Sequence, residues 1–568
     1  MRVAGMTTKV DFDSLVKWLL LCGWIALFIG GVIHYAGSCL IYTMFSVVFL
    51  TMLISGFYRK ASYGYLFLVV FLWLGFWLKL TVHAIFNYSF GEPFGSFNGT
   101  AAAWDEVLWV AIVASMGVVM GRILYRLAGR KSTILIPEGS AGAPVWYPMI
   151  RKWLWLSLLA AVVGLASLNI ALGIQQSGLV PRTILPWPLN AVIYWMLSTG
   201  LSMGVATLLW WDISLRKTIT FPIYAIHAEA FFSSVSLLSR GVYIFHAIPQ
   251  MLSLYMNRQA PRGVPLKKAI LIAVFSVSFF VVSLAAVNAI RSYLYSHGQN
   301  FTTKSQVIYS RLEVIDGTIP QVEALIKKGK PLEAREHGKD ERFEKWLDGK
   351  GVSLKNILQD LNNEKASLKK IQLAENAKAV EAAKTKSGQY LMLLDEFVYQ
   401  IINVAGRISQ LAVDRWVGLE GVMAISSYSI KSDALFMSAL TERPKIGDVT
   451  LYQKVCNSQY QTEDMSKFAF ASLPGPAAFF YYTGSLWFVF IGMLVVVLVA
   501  LFSESLVQSL TGNALLCALY GMDVANSIAQ LGVAPRQLVI HFFMICCGVG
   551  FIWILQSKLV ANVTWYRA

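Results

Sequence analysis

The amino-acid sequence predicts an all-α polytopic integral membrane protein with about 9–11 transmembrane helices and one large, mainly helical domain outside the bilayer. Apolar residues make up 56% of the 568 residues and charged residues only 14%, whereas soluble proteins have roughly 45–50% and about 25%. The mean hydropathy is +0.56. Runs of about 20 apolar residues recur along the chain, and a helix of that length spans a bilayer. These observations argue against a soluble enzyme of several domains.

Nine apolar segments form the predicted membrane helices. The first follows a basic N-terminal region, is longer than the core of a signal peptide and leads directly into a second apolar run, so we expect an uncleaved helix. The predicted spans are 15–34, 38–57, 62–86, 105–125, 152–172, 188–210, 269–290, 482–502 and 537–556.

Two further stretches, 218–256 and 503–535, are less apolar and leave the number of crossings between about nine and eleven. Basic clusters flank both ends of 218–256, so we expect an interfacial or re-entrant helical segment on the inner side of the membrane. In 503–535, small polar residues at Thr511–Asn513 and Gly521–Asn526 predict a turn at the inner face.

The short loops predict the orientation of the chain. Lys and Arg cluster in alternate loops, whereas 87–104 contains neither and 173–187 contains only Arg182. Because basic loops stay in the cytoplasm, this alternation places the N-terminus inside the cell. The predicted organisation is an N-terminal membrane domain 1–290, a periplasmic loop domain 291–475 and a C-terminal membrane domain 476–568 with two or three spans.

Charge and motif content exclude several classes of protein. The net charge is +16, but residues 291–475 hold 25 Lys and Arg against 22 Asp and Glu. The excess therefore lies in the membrane loops, and no nucleic-acid partner is predicted. The sequence has no phosphate-binding loop, no dinucleotide-binding glycine motif, no HExxH, no GxSxG and no CxxC. We therefore predict no cofactor and no metal.

The segment 406–428, GRISQLAVDRWVGLEGVMAISSY, contains the strongest candidates for chemistry. Arg407, Asp414, Arg415 and Glu420 lie close together in an otherwise apolar stretch. Guanidinium groups bind phosphate oxygens bidentately and keep their charge, so two arginines here suit a lipid pyrophosphate. Ion pairs that stabilise the domain, Arg407–Asp414 or Arg415–Glu420, account for the same residues equally well.

Three other parts of the sequence each predict a structural feature. Lys79, in the outer half of the third span, is expected to extend its amine to the interface. Residues 351–406 have apolar side chains at helical spacing and few helix breakers, which predicts a long helical region. Tyr481 and Tyr482 follow a Pro-Gly-Pro break at 474–476, and they predict an aromatic belt at headgroup level or an aromatic lip beside a sugar or polyprenyl groove.

The chain resembles bacterial Wzy-type O-antigen polymerases, the oligosaccharide repeat-unit polymerase family. That family shares many inner-membrane helices, one large periplasmic loop late in the chain and few spans after it. Arg407 and Gly418 match an Arg-x10-Gly pattern of some members, and residues 300–390 match nothing in the family. The similar phrases are 414–424 (DRWVGLEGVMA), 473–485 (LPGPAAFFYYTGS) and 221–249 (FPIYAIHAEAFFSSVSLLSRGVYIFHAIP).

The resemblance implies a membrane glycosyltransferase of lipopolysaccharide or related polysaccharide biosynthesis. A glycan on undecaprenyl pyrophosphate would move to a repeat unit on the same lipid at the periplasmic face of the inner membrane. Arg407 and Arg415 would hold the pyrophosphate, and Asp414 or Glu420 would act as general base. Substrate-binding candidates are Glu229, Arg240, His246, Tyr481 and Tyr482. Expected partners are the lipid-linked oligosaccharide, the bilayer, and a chain-length regulator and flippase of the same pathway.

Other functions fit the sequence as well. A lipid-linked oligosaccharide flippase would need charged groups inside the helical bundle, and few are present. An O-antigen ligase would share the arginine chemistry. A structural component of an envelope secretion or conjugation machine would use the outer helices as a docking surface.

Overall fold

The computed structural model is helical, and its only β structure within the described residues is one short antiparallel pair. The structure describes residues 12–57, 62–88, 90–129, 142–186, 188–257, 266–299, 354–383, 386–403, 415–444, 448–458, 468–469, 472–532 and 535–557, with single positions 315, 319 and 413. Among these residues, eight helices are long and apolar enough to cross a bilayer. The predicted all-α, multi-pass membrane class is confirmed at this level.

The helices follow the predicted spans closely. In the N-terminal part they are α1 (Phe12–His34), α2 (Cys39–Phe57), α3 (Tyr63–Phe86), α4 (Ala101–Leu127), α5 (Tyr147–Leu172), α6 (Leu189–Ser214), α7 (Thr220–Ser236), α8 (Val242–Met256) and α9 (Leu266–Gln299). Two of them contain a π-helical turn, Trp73–Leu78 in α3 and Met196–Gly200 in α6.

The second half of the chain adds nine helices within the described residues. They are α10 (Leu354–Ala383), α11 (Lys386–Ile402), α12 (Leu419–Ser427), α13 (Asp433–Thr441), α14 (Leu451–Val455), α15 (Pro476–Tyr481), α16 (Leu486–Thr511), α17 (Ala514–Ala529) and α18 (Pro535–Gln556). Strand β1 (Gly178–Leu179) pairs antiparallel with β2 (Phe468–Ala469). Gly521–Asn526, for which the small residues predict a turn, are inside α17.

The chain divides into two compact units. The membrane unit comprises Met1–Ser283 and Ala405–Ala568, and the second unit comprises Leu284–Val404 with α10 and α11. Of the predicted loop domain 291–475, the described residues 415–444, 448–458 and 472–475 belong to the same compact unit as the membrane helices. The helix α12 has only nine residues, too few to be recognised as a span, yet most of it is buried in the core.

Close packing of α4 against α16 depends on two glycines. Gly117 and Gly121 are four residues apart and lie on one face of α4. A Cβ on Gly117 would lie 2.5 Å from the Phe490 carbonyl oxygen, and one on Gly121 would lie 3.1 Å from the Leu494 carbonyl oxygen. This is the small-xxx-small arrangement that lets membrane helices approach backbone to backbone.

The segment 218–256 forms a helical hairpin of α7 and α8 that reaches from one end of the bundle to the other. At its tip, the Ser177 N–H donates to the Leu237 carbonyl at 2.9 Å, beside the end of α5. At its base, Tyr63, the first residue of α3, donates from its hydroxyl to Ser253 Oγ at 2.8 Å. A helix of 17 residues is about 25 Å long, which accounts for this reach.

The polar residues of the hairpin lie in a different place from the one that the sequence predicts. The basic clusters predict that the whole segment lies at the inner side of the membrane. The structure instead brings the tip, residues 237–241, to the end of the bundle that carries loop 173–188. The start of α7 and the end of α8 therefore lie at the same end of the bundle, because the chain goes up through α7 and returns through α8.

Candidate functional site

A cavity of about 490 Å³ lies within the membrane unit, at the end of the bundle that includes the hairpin tip. Its described walls come from α6, the α7–α8 hairpin, α17, α18 and residue 415. The charged side chains and histidines of the described lining are four: His246, Arg415, Asp523 and His541. Serines, glutamines and an asparagine line much of the rest, so the cavity suits a polar ligand.

Arg415 reaches this cavity because the two residues that follow it pack against α3. The Trp416 ring stacks on Phe71, with centroids 4.5 Å apart and planes at 19°. A Cβ on Gly75, in the π-helical turn of α3, would lie 2.6 Å from the Val417 carbonyl oxygen. The side chain of Arg415 then passes over the hairpin tip, where a Cβ on Gly241 would lie 3.1 Å from Arg415 Nη2.

His246, on α8, is held as a cation within the cavity wall. Its Nδ1 lies 2.9 and 3.1 Å from the two carboxylate oxygens of Glu229, and its Nε2 lies 2.8 Å from the Ser198 carbonyl oxygen. Ser233 donates a further hydrogen bond to Glu229 at 2.8 Å. Both ring nitrogens face acceptors, so we assign both protons to the ring and the negative charge to Glu229.

A second histidine–carboxylate pair faces the cavity from α17 and α18. His541 Nε2 lies 2.8 Å from Asp523 Oδ2, and the two side chains are 21% and 22% exposed. Asp523 belongs to a polar stripe on α17 whose members are separated by three or four residues, the spacing of one helix face. The other members are Asn526, Ser527 and Gln530, and all of them line the cavity.

The predicted site does not include this pair, although the sequence carries a signal for it. The small polar residues around Asp523 led instead to the prediction of a turn. In a 16-residue apolar helix, however, polar residues at i, i+3, i+4 and i+7 indicate a polar face turned toward a cavity or a partner. His541, just inside the next apolar helix, is absent from the predicted site.

The other two substrate-binding candidates of the hairpin, Arg240 and Glu229, do not line the cavity as His246 does. Arg240 lies at the tip, half-buried, between Ser239 of the cavity lining and Gly241. Glu229 is completely buried in α7 and acts on the cavity only through His246. The structure thus brings His246 and Arg415 to one cavity.

Glu420 lies away from the cavity and is paired with Lys79. The Lys79 amine lies 2.7 and 3.0 Å from the two carboxylate oxygens of Glu420, and the two side chains are 0% and 4% exposed. The expectation that Lys79 extends to the interface is therefore wrong, because a buried carboxylate on α12 neutralises it. Of the two ion pairs considered from the sequence, Arg407–Asp414 lies outside the described residues, and for Glu420 the structure gives Lys79 as partner.

The two tyrosines after the Pro-Gly-Pro break are also separate from the cavity. Tyr481 donates from its hydroxyl to Glu106 Oε1 at 2.9 Å, with the Lys431 amine 5.4 Å from its ring centroid. Tyr482 is fully buried. Both rings are buried at the end of α15 rather than exposed as a belt or lip requires.

Glu92, in the loop between α3 and α4, has an unusual electrostatic environment. Burial and the nearby Glu420 carboxylate raise the pKa of its carboxyl group, Lys79 and Arg415 lower it, and the net result is a pKa of about 7. Its Oε2 is buried without a hydrogen-bond partner. A proton on Glu92 is therefore favoured more in the folded than in the unfolded protein.

This environment predicts a pH dependence of stability. The folded protein binds the Glu92 proton up to about pH 7, and the unfolded chain releases it near pH 4.5. The stabilisation is complete at low pH and is lost as the pH rises to about 7. We expect Glu92→Gln to be more stable than wild type at pH 8 by about 1–3 kcal/mol, and to have a weaker decline in stability between pH 5 and 8.

Thermal unfolding of the two proteins in detergent across this pH range measures the difference. Asp433→Asn is the matched control, because Asp433 begins the short helix α13 and no contact links it to Glu92. Parallel curves for wild type and Glu92→Gln would contradict the interpretation.

Within the described residues, no group of three or more His, Cys, Asp or Glu side chains is arranged to hold a metal ion. Compared with protein-family models, curated proteins and solved structures, the chain matches none.

Proposed function

We propose that this membrane protein is a glycosyltransferase that uses a polyprenyl-pyrophosphate-linked glycan as donor and polymerises oligosaccharide repeat units into O-antigen or a related surface polysaccharide. One observation carries the proposal: a polar cavity among membrane helices combines an arginine, a fixed imidazolium and a histidine–carboxylate pair. These are the groups that a transfer reaction with a pyrophosphate leaving group needs.

The cations of the cavity suit the leaving group. Arg415 supplies a guanidinium fork, which binds two phosphate oxygens at once. His246 turns the positive end of a neutral ion pair with Glu229 toward the cavity, and its bonds to Glu229 and Ser198 hold the ring in place. Negative charge develops on the pyrophosphate as its bond to the sugar breaks, and a fixed guanidinium and fixed dipoles stabilise that charge without reorganising.

The position of the cavity suits a substrate that is partly lipid. The cavity lies at one end of a bundle of apolar helices, so a polyprenyl chain can remain in the bilayer while its headgroup occupies the cavity. The charges of the short loops support assigning this end, with loop 173–188, to the periplasmic face of an inner membrane. A flippase and a chain-length regulator would then be partners in the same pathway.

Deleting the gene from its host bacterium and examining lipopolysaccharide on a gel tests the proposal. Loss of a polymerase is expected to leave lipid A-core with a single repeat unit, and wild-type gene should restore the ladder. Loss of a flippase or a ligase would instead leave core without any repeat. An unchanged ladder, together with unchanged capsular and other surface glycans, would reject the proposed function.

A further inference from the structure

We propose that His541, oriented by Asp523, is the general base that accepts the proton of the acceptor hydroxyl. This assignment rests on the proposed function and names the residue that activates its second substrate. It follows from a difference between the two histidines of the cavity, whereas the sequence offers Asp414 and Glu420 for this role.

His246 is unable to accept a proton in its observed setting. Its Nδ1 donates to the Glu229 carboxylate and its Nε2 donates to the Ser198 carbonyl, so neither nitrogen has a lone pair available. The ring is also buried, with a side-chain exposure of 5%. It therefore contributes charge to the site rather than proton transfer.

His541 has the opposite arrangement. Its Nε2 donates to Asp523 Oδ2 at 2.8 Å, which fixes the tautomer with a lone pair on Nδ1. No hydrogen bond from any described residue reaches Nδ1. The side chain is 21% exposed and lines the cavity, so a sugar hydroxyl has access to it. A histidine held by a carboxylate at one nitrogen and open at the other is the arrangement of a general base.

Glu420 does not meet these requirements. Its carboxylate is fully engaged by Lys79, it is almost completely buried, and it is absent from the described lining of the cavity. Apart from His541 and its partner Asp523, the titratable groups of the described lining are Tyr194, His246 and Arg415, and none of these three combines an available acceptor atom with the access that His541 has.

In the proposed step, the bond that forms is matched by one that breaks. The acceptor hydroxyl oxygen forms a bond to the anomeric carbon of the donor glycan, and its proton moves to His541 Nδ1. The bond between the anomeric carbon and the pyrophosphate oxygen breaks, and its electron pair leaves with the lipid pyrophosphate. Arg415 and the His246 imidazolium stabilise the new negative charge, and His541 then releases its proton to water.

The test uses membranes of the deletion strain that carry each variant, with the lipid-linked repeat-unit fraction extracted from that strain as substrate. The initial rate of chain growth is measured against pH. We expect His541→Ala to lower the rate by about 10²–10⁴-fold, and added imidazole to restore part of it. His34→Ala is the matched control, because His34 is an exposed histidine at the end of α1 and should keep the wild-type rate.

Asp523→Asn separates a positioning role from a purely structural one. Without the carboxylate, the imidazolium of His541 is less stable, so the acidic limb of the rate–pH profile should move to lower pH while the maximal rate falls. If His541→Ala does not accumulate in membranes, His541→Gln replaces it, since glutamine keeps a polar side chain of similar size at this position.

The outcomes distinguish the two proposals. Extracts that wild-type protein cannot polymerise would reject the proposed function and the base together. A wild-type protein that polymerises, with His541→Ala and His541→Gln equally active, would reject only the base. Inactive His541 variants without imidazole rescue, combined with an unshifted profile for Asp523→Asn, would show that the pair is structural and would also overturn the assignment.

Discussion

Replacing Lys79 by methionine is expected to destabilise the membrane unit by about 3–5 kcal/mol, because the substitution leaves the Glu420 carboxylate buried without its partner. Lys79 and Glu420 are 0% and 4% exposed, so water cannot compensate for the lost charge. Glu92, which already shares this environment, adds a second carboxyl group nearby. A loss of this size approaches the whole stability of many proteins.

The double substitution Lys79→Met with Glu420→Met is expected to recover most of that stability, since two apolar side chains of similar volume replace a buried ion pair without leaving a charge. The unfolding temperature of all three proteins is measured in detergent, with the fraction of protein that remains monodisperse as the readout. Lys431→Met provides the control: Lys431 is 22% exposed and lies 3.6 Å from a Glu106 carboxylate that is 43% exposed.

Exposed pairs of this kind contribute about 0–1 kcal/mol. If Lys79→Met and Lys431→Met lowered the unfolding temperature equally, the buried pair would have no special role. If the double variant were no better than the single one, the cost would come from packing and not from the unpaired charge.

Replacing Arg415 by alanine is expected to lower repeat-unit polymerisation by about 10²–10³-fold, the effect of removing one preorganised group that stabilises a developing negative charge. Arg415→Lys should lose most of the same activity. The Lys amine keeps the charge but has no planar fork for two phosphate oxygens. The ladder of lipopolysaccharide in complemented deletion strains, at matched protein levels, measures both variants.

Arg182→Lys is the control for this series. Arg182 is an exposed arginine of the loop 173–188, it donates to the Ile170 carbonyl at 2.9 Å, and it is not part of the described lining of the cavity. Full ladders in both Arg415 variants would remove the pyrophosphate role from this residue. The corresponding role of Arg407, which like Asp414 lies outside the described residues, stays a prediction that the same assay tests.

The membrane helices were predictable because their physical requirement is simple and local. A span needs about 20 apolar residues, whatever surrounds it, and α2–α6, α16 and α18 satisfy that condition within their own sequences. The hairpin 218–256 was harder, since its polar residues are stabilised by partners from distant parts of the chain. Glu229 needs His246 and Ser233, and Ser177 meets Leu237 only after the bundle has formed.

The candidate site was predictable only in part, for the same reason. Arg415 was identified from its residue type, because a permanently charged guanidinium in an apolar segment needs an anionic partner or ligand. That it faces the cavity depends on Gly75, Phe71 and Gly241, none of which carries a chemical signal. Conversely, Glu420 was predicted as a general base because it is a carboxylate. Its partner Lys79 is 341 residues away in the sequence, so the ion pair could not be predicted. A helical-wheel projection of 514–529 would have revealed the stripe that contains Asp523.

The division of the chain has a consequence for how proteins of this architecture can diverge. Every described residue that lines the cavity belongs to Met1–Ser283 or Ala405–Ala568, so the intervening unit behaves as an insertion in an otherwise continuous membrane fold. Inserted domains change length and sequence with little effect on the scaffold that receives them. Related chains can thus share the cavity and its spacing from Arg415 onward while differing in the stretch that follows the membrane helix α9 and precedes residue 405.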